Sequence, residues 1–432
     1  MKKVLIITYY WPPSGGAGVQ RFLKFVKYLN KTSWIPIVYT PENPEYPVLD
    51  HSLLSEIPKD VVVLKKKIWE PYGFYKRILG IPDDVKINTG FLTESKKNNF
   101  LEKISVWVRG NFFIPDARKF WIKPSVKFLK KYIIENKIST IITTGPPHSM
   151  HLIGLNLKRS TGVKWIADFR DPWVNIDYYQ DLMLTKSSDN KHKMLEKQVI
   201  MGADKVIAIG DSMAAEFTKE YSKDVFVIPN GFDPNDFTEQ TDVAKNKLYI
   251  THIGTLVKTR NPILLWNVLK KMKDSQTPNF NHIKVRLIGK VDIEVRDSIE
   301  SMGLLDSVEF IDYLPHSSII SYLKSSSLLL LVLNNTPNLK GILTGKLFEY
   351  LAARRPILCF GTHDGDAAKV ILNTKSGNVF ESRQSSELLR YINNMLVQYN
   401  SGGIPNCIGE IDNYSREYQT DQLVEILNSV QS

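Results

Sequence analysis

Six consecutive apolar residues, Leu328-Leu-Leu-Leu-Val-Leu333, constrain this chain more than any other feature. A run without polar alternation suits a strand covered on both faces, as in a parallel sheet. A second apolar run, Pro356-Ile-Leu-Cys-Phe360, follows it. Between them lie a polar loop, 334–343, and a segment with helical spacing, 344–354. The order strand, loop, helix, strand predicts a parallel α/β unit. In open α/β sheets ligands bind beyond the carboxyl ends of the strands, so the chemistry is expected in this loop and in the first turn of this helix.

That turn reads Gly345-Lys346-Leu-Phe-Glu349. The amides and dipole of a helix amino end favour an anion such as a phosphate. Gly345 allows close backbone approach, and Lys346 adds a point charge. Glu349, three residues on, lies on the same face. A carboxylate there can accept hydrogen bonds from the two adjacent hydroxyls of a ribose. The plainer reading is a surface helix with an ion pair spaced by three.

The amino-terminal part repeats the pattern. Val4 to Thr8 reads as a buried strand, and a glycine loop with Gly15, Gly16 and Gly18 follows, then a helix from Val19 to Asn30. The loop amides can face a phosphate or a sugar. As a dinucleotide fingerprint it lacks the third glycine. A strand over 35–40 comes next. Residues 41 to about 118 read as an irregular insertion with helices of its own. A helix opening at Pro124 and running to about Asn136 sets Val126, Leu129, Tyr132 and Ile133 on one side and Lys127, Lys130 and Lys131 off it. Basic residues beside the aromatics of 107–121 suit an anionic membrane surface, and equally an ordinary helix with a solvated basic face. Strands over 139–144 and 163–168 end in candidate groups: His148 after a Gly-Pro-Pro turn, and the cluster Asp168, Arg170 and Asp171. A self-satisfied ion-pair turn is the plainer reading of that cluster. Residues 203–210 read as the last strand of this half, with a hinge at Val227-Ile-Pro-Asn-Gly-Phe-Asp233. In the second half, the strand 248–253 ends at Gly254 with Lys258 and Arg260 beyond it. Val308–Ile311 leads to Tyr313. Asp364-Gly-Asp366 reads as a cap or loop rather than a metal site.

Lys346-Leu-Phe-Glu-Tyr-Leu-Ala-Ala-Arg-Arg-Pro356 resembles the K-x-x-E-x-(L/M)-A-x-(G/R)-x-P signature of the retaining family 4 (group 1) glycosyltransferases, and 227–233 resembles their domain crossover. The resemblance implies the GT-B fold: two Rossmann-like, doubly wound domains with an interdomain cleft, here 1–228 and 229–412, and a carboxyl-terminal helix, 413–432, returning to the first domain. It implies a nucleoside-diphosphate sugar donor, with no metal or other cofactor required. It assigns Arg260 and Lys346 to the diphosphate, with Lys258 second, and Glu349 to the ribose. Tyr313 falls beside the base, and Asn230 lies in the crossover. The strand-end Gly254 and the helix-start Gly345 join them, with Gly15, Gly16 and Gly18 under the donor phosphates. His148 would face the donor sugar, and Asp168, Arg170 and Asp171 the acceptor. Two positions depart from the family: Gly341 stands where a first glutamate is usual, and Thr255 where an arginine is.

Composition narrows the setting. Only two cysteines occur, Cys359 and Cys407, so a disulfide framework is not expected and a reducing, cytoplasmic setting is. No apolar run has the length of a membrane span. Residues 1–224 hold 35 Lys and Arg against 23 Asp and Glu, a net of +12, and the remainder of the chain nets −1. A basic first half implies an acidic partner surface, and the inner face of a membrane fits. No nucleic-acid reader motif is present. The expectation is therefore a glycosyltransferase acting on a sugar or lipid-linked acceptor in cell-surface polysaccharide or glycolipid synthesis. The other reading, prompted by Gly341 and Thr255, is a non-catalytic relative that binds sugar nucleotide or serves as an assembly partner.

Overall fold

The computed structural model describes residues 2–71, 100–238, 243–334, 336–403 and 409–431. The chain divides into two compact units, one of Met1–Pro229 with Arg416–Ser432, the other of Asn230–Ser415.

The first unit holds seven parallel strands, β1 (Lys2–Ile7), β2 (Trp34–Pro41), β3 (Val62–Lys66), β4 (Thr140–Gly145), β5 (Lys164–Phe169), β6 (Lys205–Ala208) and β7 (Val225–Val227), in the order β3-β2-β1-β4-β5-β6-β7. Leu5 pairs with Ile37 on one side and Ile141 on the other. Val4–Ile7 of β1 is buried on both faces, so that stretch is continuously apolar. Val4 and Ile6 pack with Phe22, Leu23 and Val26 of the helix Ala17–Leu29 and with Leu423 and Leu427 of the helix Arg416–Ser429. Leu5 and Ile7 belong to the opposite core with Leu129, Met150 and Ile153. The carboxyl-terminal helix is thus part of the first unit's core.

The second unit has six parallel strands, β8 (Leu248–Ile253), β9 (Ile283–Ile288), β10 (Val308–Ile311), β11 (Leu328–Val332), β12 (Ile357–Phe360) and β13 (Gly377–Phe380), in the order β10-β9-β8-β11-β12-β13. The leucine run is explained by its place inside the sheet: Leu328 and Leu330 enter one core, Leu329 and Leu331 the other. Cys359 is buried in β12 as a free thiol, and Cys407 lies outside the described residues.

In each sheet the strand order reverses once, between β1 and β4 and between β8 and β11. Those are the switch points where a crevice opens beyond the strand ends.

Three expectations are corrected. Residues 41–118 are not all insertion, since Val62–Lys66 extends the sheet as edge strand β3. The strand 203–210 is not the last of the first unit, because β7 pairs beyond it. The helix expected from Pro124 starts at Lys119 and runs to Glu135. Pro124 removes one backbone hydrogen bond there, and the turn before it is held by Trp121, stacked on Tyr39 with ring centroids 4.8 Å apart. Among the described residues no helix is long and apolar enough to cross a membrane.

Candidate active site

At the β8/β11 switch point, β8 ends in Gly254, whose φ of +98° suits glycine. A Cβ there would come within 2.7 Å of Lys346 Cε and Nζ, so the missing side chain is the seat of the lysine. Lys346 is the second residue of the helix Gly345–Ala352, whose amino-cap residue, Thr344, makes no side-chain cap bond. The Thr344 hydroxyl is buried without a partner. Tyr350, fully buried on the same helix, fixes this geometry: its hydroxyl accepts from Ile253 N at 3.1 Å and donates to Leu330 O at 3.3 Å. One phenol thus ties the helix to the end of β8 and the middle of β11.

Arg260 closes the turn Lys258–Arg260, and its Nε donates to Asn334 Oδ1 just past β11. Burial, foremost, and the Arg260 charge push the Lys346 ammonium down to about 8, while Glu349 opposes them. A buried lysine whose charge a neighbouring arginine disfavours makes a receptor for a diphosphate. Beneath them His252 is buried and pushed down to about 3 by desolvation and then by Lys346, so it adds no charge.

The other expected donor groups differ in their settings. Gly345 is the first residue of the helix and Glu349 the fifth. Lys258 differs from Arg260: it is exposed and pairs with Glu294 at 2.9 Å. Tyr313 lies past β10 and is 72% exposed, so it is a surface side chain in this structure. Gly341 closes the short turn Leu339–Gly341, and Asn230 is the first residue of the second unit. Asp364 pairs with Lys340, and Asp366, the first residue of the helix Asp366–Asn373, has Lys369 at 3.8 Å. Each carboxylate of that motif therefore has a lysine partner.

At the β1/β4 switch point of the first unit the three glycines have separate uses. Gly15 N donates to Val48 O at 2.9 Å, pinning the loop. Gly16 has φ +84° and caps the helix Ala17–Leu29. Gly18 makes room for Tyr10 and Arg170, whose atoms would lie 3.2 and 3.1 Å from a Cβ. His148 sits at the amino cap of the helix Ser149–Thr161, stacked flat on Trp173 with centroids 4.5 Å apart. Burial, first, and neighbouring His151 hold its imidazole well below the usual range, and its Nδ1 is buried without a partner. With Tyr10, Arg109, Trp173 and Tyr178 it lines a cavity of about 240 Å³. A neutral ring nitrogen among aromatic faces, with Arg109 and Asp116 on the same cavity, suits a hydroxyl-bearing ligand.

The cluster after β5 separates into different roles. Asp168 is buried and pairs with Arg21 at 2.7 Å, and it also accepts from Thr144 Oγ1 at 2.8 Å. Arg170 donates to Gly18 O at 2.9 Å and to Pro146 O, joining the glycine loop to the Gly-Pro-Pro loop. Both hold loops in place, but not as a self-satisfied ion-pair turn, since the partner of Asp168 is Arg21 of the helix Ala17–Leu29 and those of Arg170 are backbone carbonyls. Asp171 is partly exposed, and burial pushes its carboxyl up to about 6, with Arg170 opposing. Among the described residues no side-chain hydrogen bond or ion pair joins Asp171 to another residue, in contrast to Asp168 and Arg170. Sequence reasoning missed Tyr350, Arg21 and Trp173. Arg21 alone left a signal, as a charge beside Phe22 and Leu23 in an otherwise apolar helix start.

Two family models match. "Glycosyl transferases group 1" covers residues 233–401, and "Glycosyltransferase Family 4" covers 89–236. No curated protein sequence matches the chain. Among solved structures, sucrose-phosphate synthase from Thermosynechococcus elongatus is similar at 13% identity and TM-score 0.64, over 100% of this chain and 99% of that one. A glycosyltransferase from Rickettsia africae is similar at 15% identity and TM-score 0.63, over 100% and 99%. A TarM mutant from S. aureus, in complex with fondaparinux, α-GlcNAc-glycerol and UDP, is similar at 13% identity and TM-score 0.59, over 99% and 100%. With two family models that together span 89–401, the strand-order reversal in each sheet and the Lys346-x-x-Glu349 helix start, the chain belongs to the group 1, family 4 glycosyltransferases and has their two-domain GT-B fold.

Proposed function

We propose that the protein transfers a hexosyl unit from a nucleoside-diphosphate sugar to a sugar or lipid-linked acceptor, with retention, in cell-surface polysaccharide or glycolipid synthesis at the inner face of the membrane. The observation that carries this reading is the Lys346 ammonium seated on Gly254 beside Arg260. In the transfer, the bond from the sugar's anomeric carbon to the diphosphate oxygen breaks and the diphosphate takes the electron pair. The acceptor hydroxyl oxygen forms the new glycosidic bond, and its proton goes to the departing phosphate. Lys346, Arg260 and the helix amides neutralise the charge that develops on the diphosphate, so side chains supply what a metal ion would. Glu349 takes the ribose hydroxyls. The first unit contributes His148 toward the sugar and Asp171 toward the acceptor. UDP is the first nucleotide to try, since the fold neighbour TarM carries it.

Incubation of the protein with UDP-, GDP- and ADP-sugars tests the reading through slow donor hydrolysis followed by NMR. Release of one nucleoside diphosphate, with the free sugar first seen in the donor's anomeric configuration, supports it. Release with the opposite anomer overturns retention. No release from any donor, with the folded protein also failing to bind nucleotide, favours the assembly-partner reading that Gly341 and Thr255 motivate.

A further inference from the structure

The helix Lys119–Glu135 has two unlike faces. One buries Trp121, Ser125, Leu129 and Ile133. The other carries Phe120, Lys123, Lys127 and Lys131, spaced by three and four residues so that they fall in one stripe. Lys66 at the end of β3 joins the three lysines around a groove of about 760 Å³, which Phe128 and Tyr132 also line. The one carboxylate on that groove, Glu135, lies 3.7 Å from Lys131.

At the amino end of the stripe the surface becomes aromatic. Trp69, 59% exposed, meets Phe120, 43% exposed, edge to face at 4.8 Å. Phe113 lies 6.2 Å from Phe120, and the Lys119 ammonium stands 5.0 Å from the Phe120 ring and 5.4 Å from Phe113. Phe112, 59% exposed, and Trp107 form a second pair at 5.7 Å. Single exposed apolar side chains are ordinary, but a contiguous aromatic patch is not. The rings meet edge to face rather than as the row of parallel faces on which successive bases stack. Aromatic rings beside lysines match instead the boundary of a bilayer, where rings sit at headgroup depth and ammonium groups meet lipid phosphates.

We propose that this surface docks the first unit on an anionic phospholipid membrane. Trp69, Phe112 and Phe120 enter the interface, and Lys66, Lys123, Lys127 and Lys131 lie on the phosphates. The proposal does not rest on sugar transfer, and its test reads none.

The full chain is sedimented with vesicles of phosphatidylcholine alone and of phosphatidylcholine with phosphatidylglycerol, at about 0.1 M salt. Binding is expected only with phosphatidylglycerol, and it should weaken with added salt. Each juxtamembrane lysine contributes about fivefold, so Lys123→Glu/Lys127→Glu/Lys131→Glu should reduce partitioning more than tenfold. Trp69→Ser/Phe120→Ser should reduce it at least fivefold. All are exposed positions, and an unchanged melting midpoint confirms that each variant folds. Reversal of three exposed lysines in the second unit, Lys270→Glu/Lys271→Glu/Lys273→Glu, should leave binding within twofold. An equal loss in that control overturns the proposal, because net charge would then explain the binding. So does equal binding to phosphatidylcholine alone, no vesicle binding by the folded protein, or a preference for soluble single-stranded DNA over vesicles.

Discussion

At the β1/β4 switch point the arginines are answered from within: Arg21 by Asp168, and Arg170 by the carbonyls of Gly18 and Pro146. At the β8/β11 switch point Lys346 lies under the influence of Arg260, and Glu349 does not offset burial and that second cation. The strand order reverses in the same way in both sheets, so topology alone does not say which crevice takes an anion. Electrostatics does. The first unit uses Arg21 and Arg170 as loop anchors, and its cavity sets a neutral histidine and aromatic rings beside Arg109. The second keeps a cationic seat whose strain a phosphate would relieve.

The largest expected effect breaks the anchored side. Arg21→Met leaves the buried Asp168 carboxylate without its ion-pair partner, an error of about 3–5 kcal/mol. Urea unfolding should show that loss, while Asp168→Asn in the Arg21→Met background should recover part of it. Next comes the cationic side. Lys346→Ala should lower kcat/KM about 10²–10³-fold, as removal of a preorganised oxyanion donor does. It should leave the urea midpoint unchanged or higher, because a desolvated charge is removed. A loss of stability in Lys346→Ala as large as in Arg21→Met would erase the contrast between the units.

Gly254→Ala is smaller. It places a side chain at φ +98° and against the tip of Lys346, costing about 1–3 kcal/mol and raising the Kd for nucleotide. A pH series sharpens the same point. The Lys346 ammonium titrates at about 8, lowered mainly by burial. The charged form binds the diphosphate, so affinity should be full near pH 7 and fall as pH rises through 8 toward 9.5. Lys346→Arg, which stays charged, should flatten that profile. The smallest effect belongs to Lys258→Ala. Its exposed pair with Glu294 contributes no more than about 1 kcal/mol, and nucleotide affinity should change by less than twofold.

Much of this was legible because it depends on neighbours in sequence. The leucine run required a covered strand, and the spacing of Lys346 and Glu349 put both at one helix start. What depends on distant partners was not. Asp168 looked like a ligand group until Arg21, 147 residues away, was found against it. Lys258 and Arg260 are two residues apart and alike in charge, and only Glu294 and Asn334 separate their roles. Strand β3 was hidden because a five-residue edge strand that ends in two lysines carries little apolar signal. The early helix start at Lys119 was masked by Pro124, whose local rule was overridden by the packing of Trp121 on Tyr39.

The central claim is that the second unit's cradle is a nucleoside-diphosphate receptor. Isothermal titration of UDP, GDP and ADP into the wild-type protein, Lys346→Ala and Glu349→Ala at pH 7 tests it most directly. The account predicts that one nucleotide binds, that Lys346→Ala weakens it at least thirtyfold, and that Glu349→Ala weakens the nucleotide but not inorganic pyrophosphate. Equal binding by all three proteins, or none by the folded wild type, would contradict it.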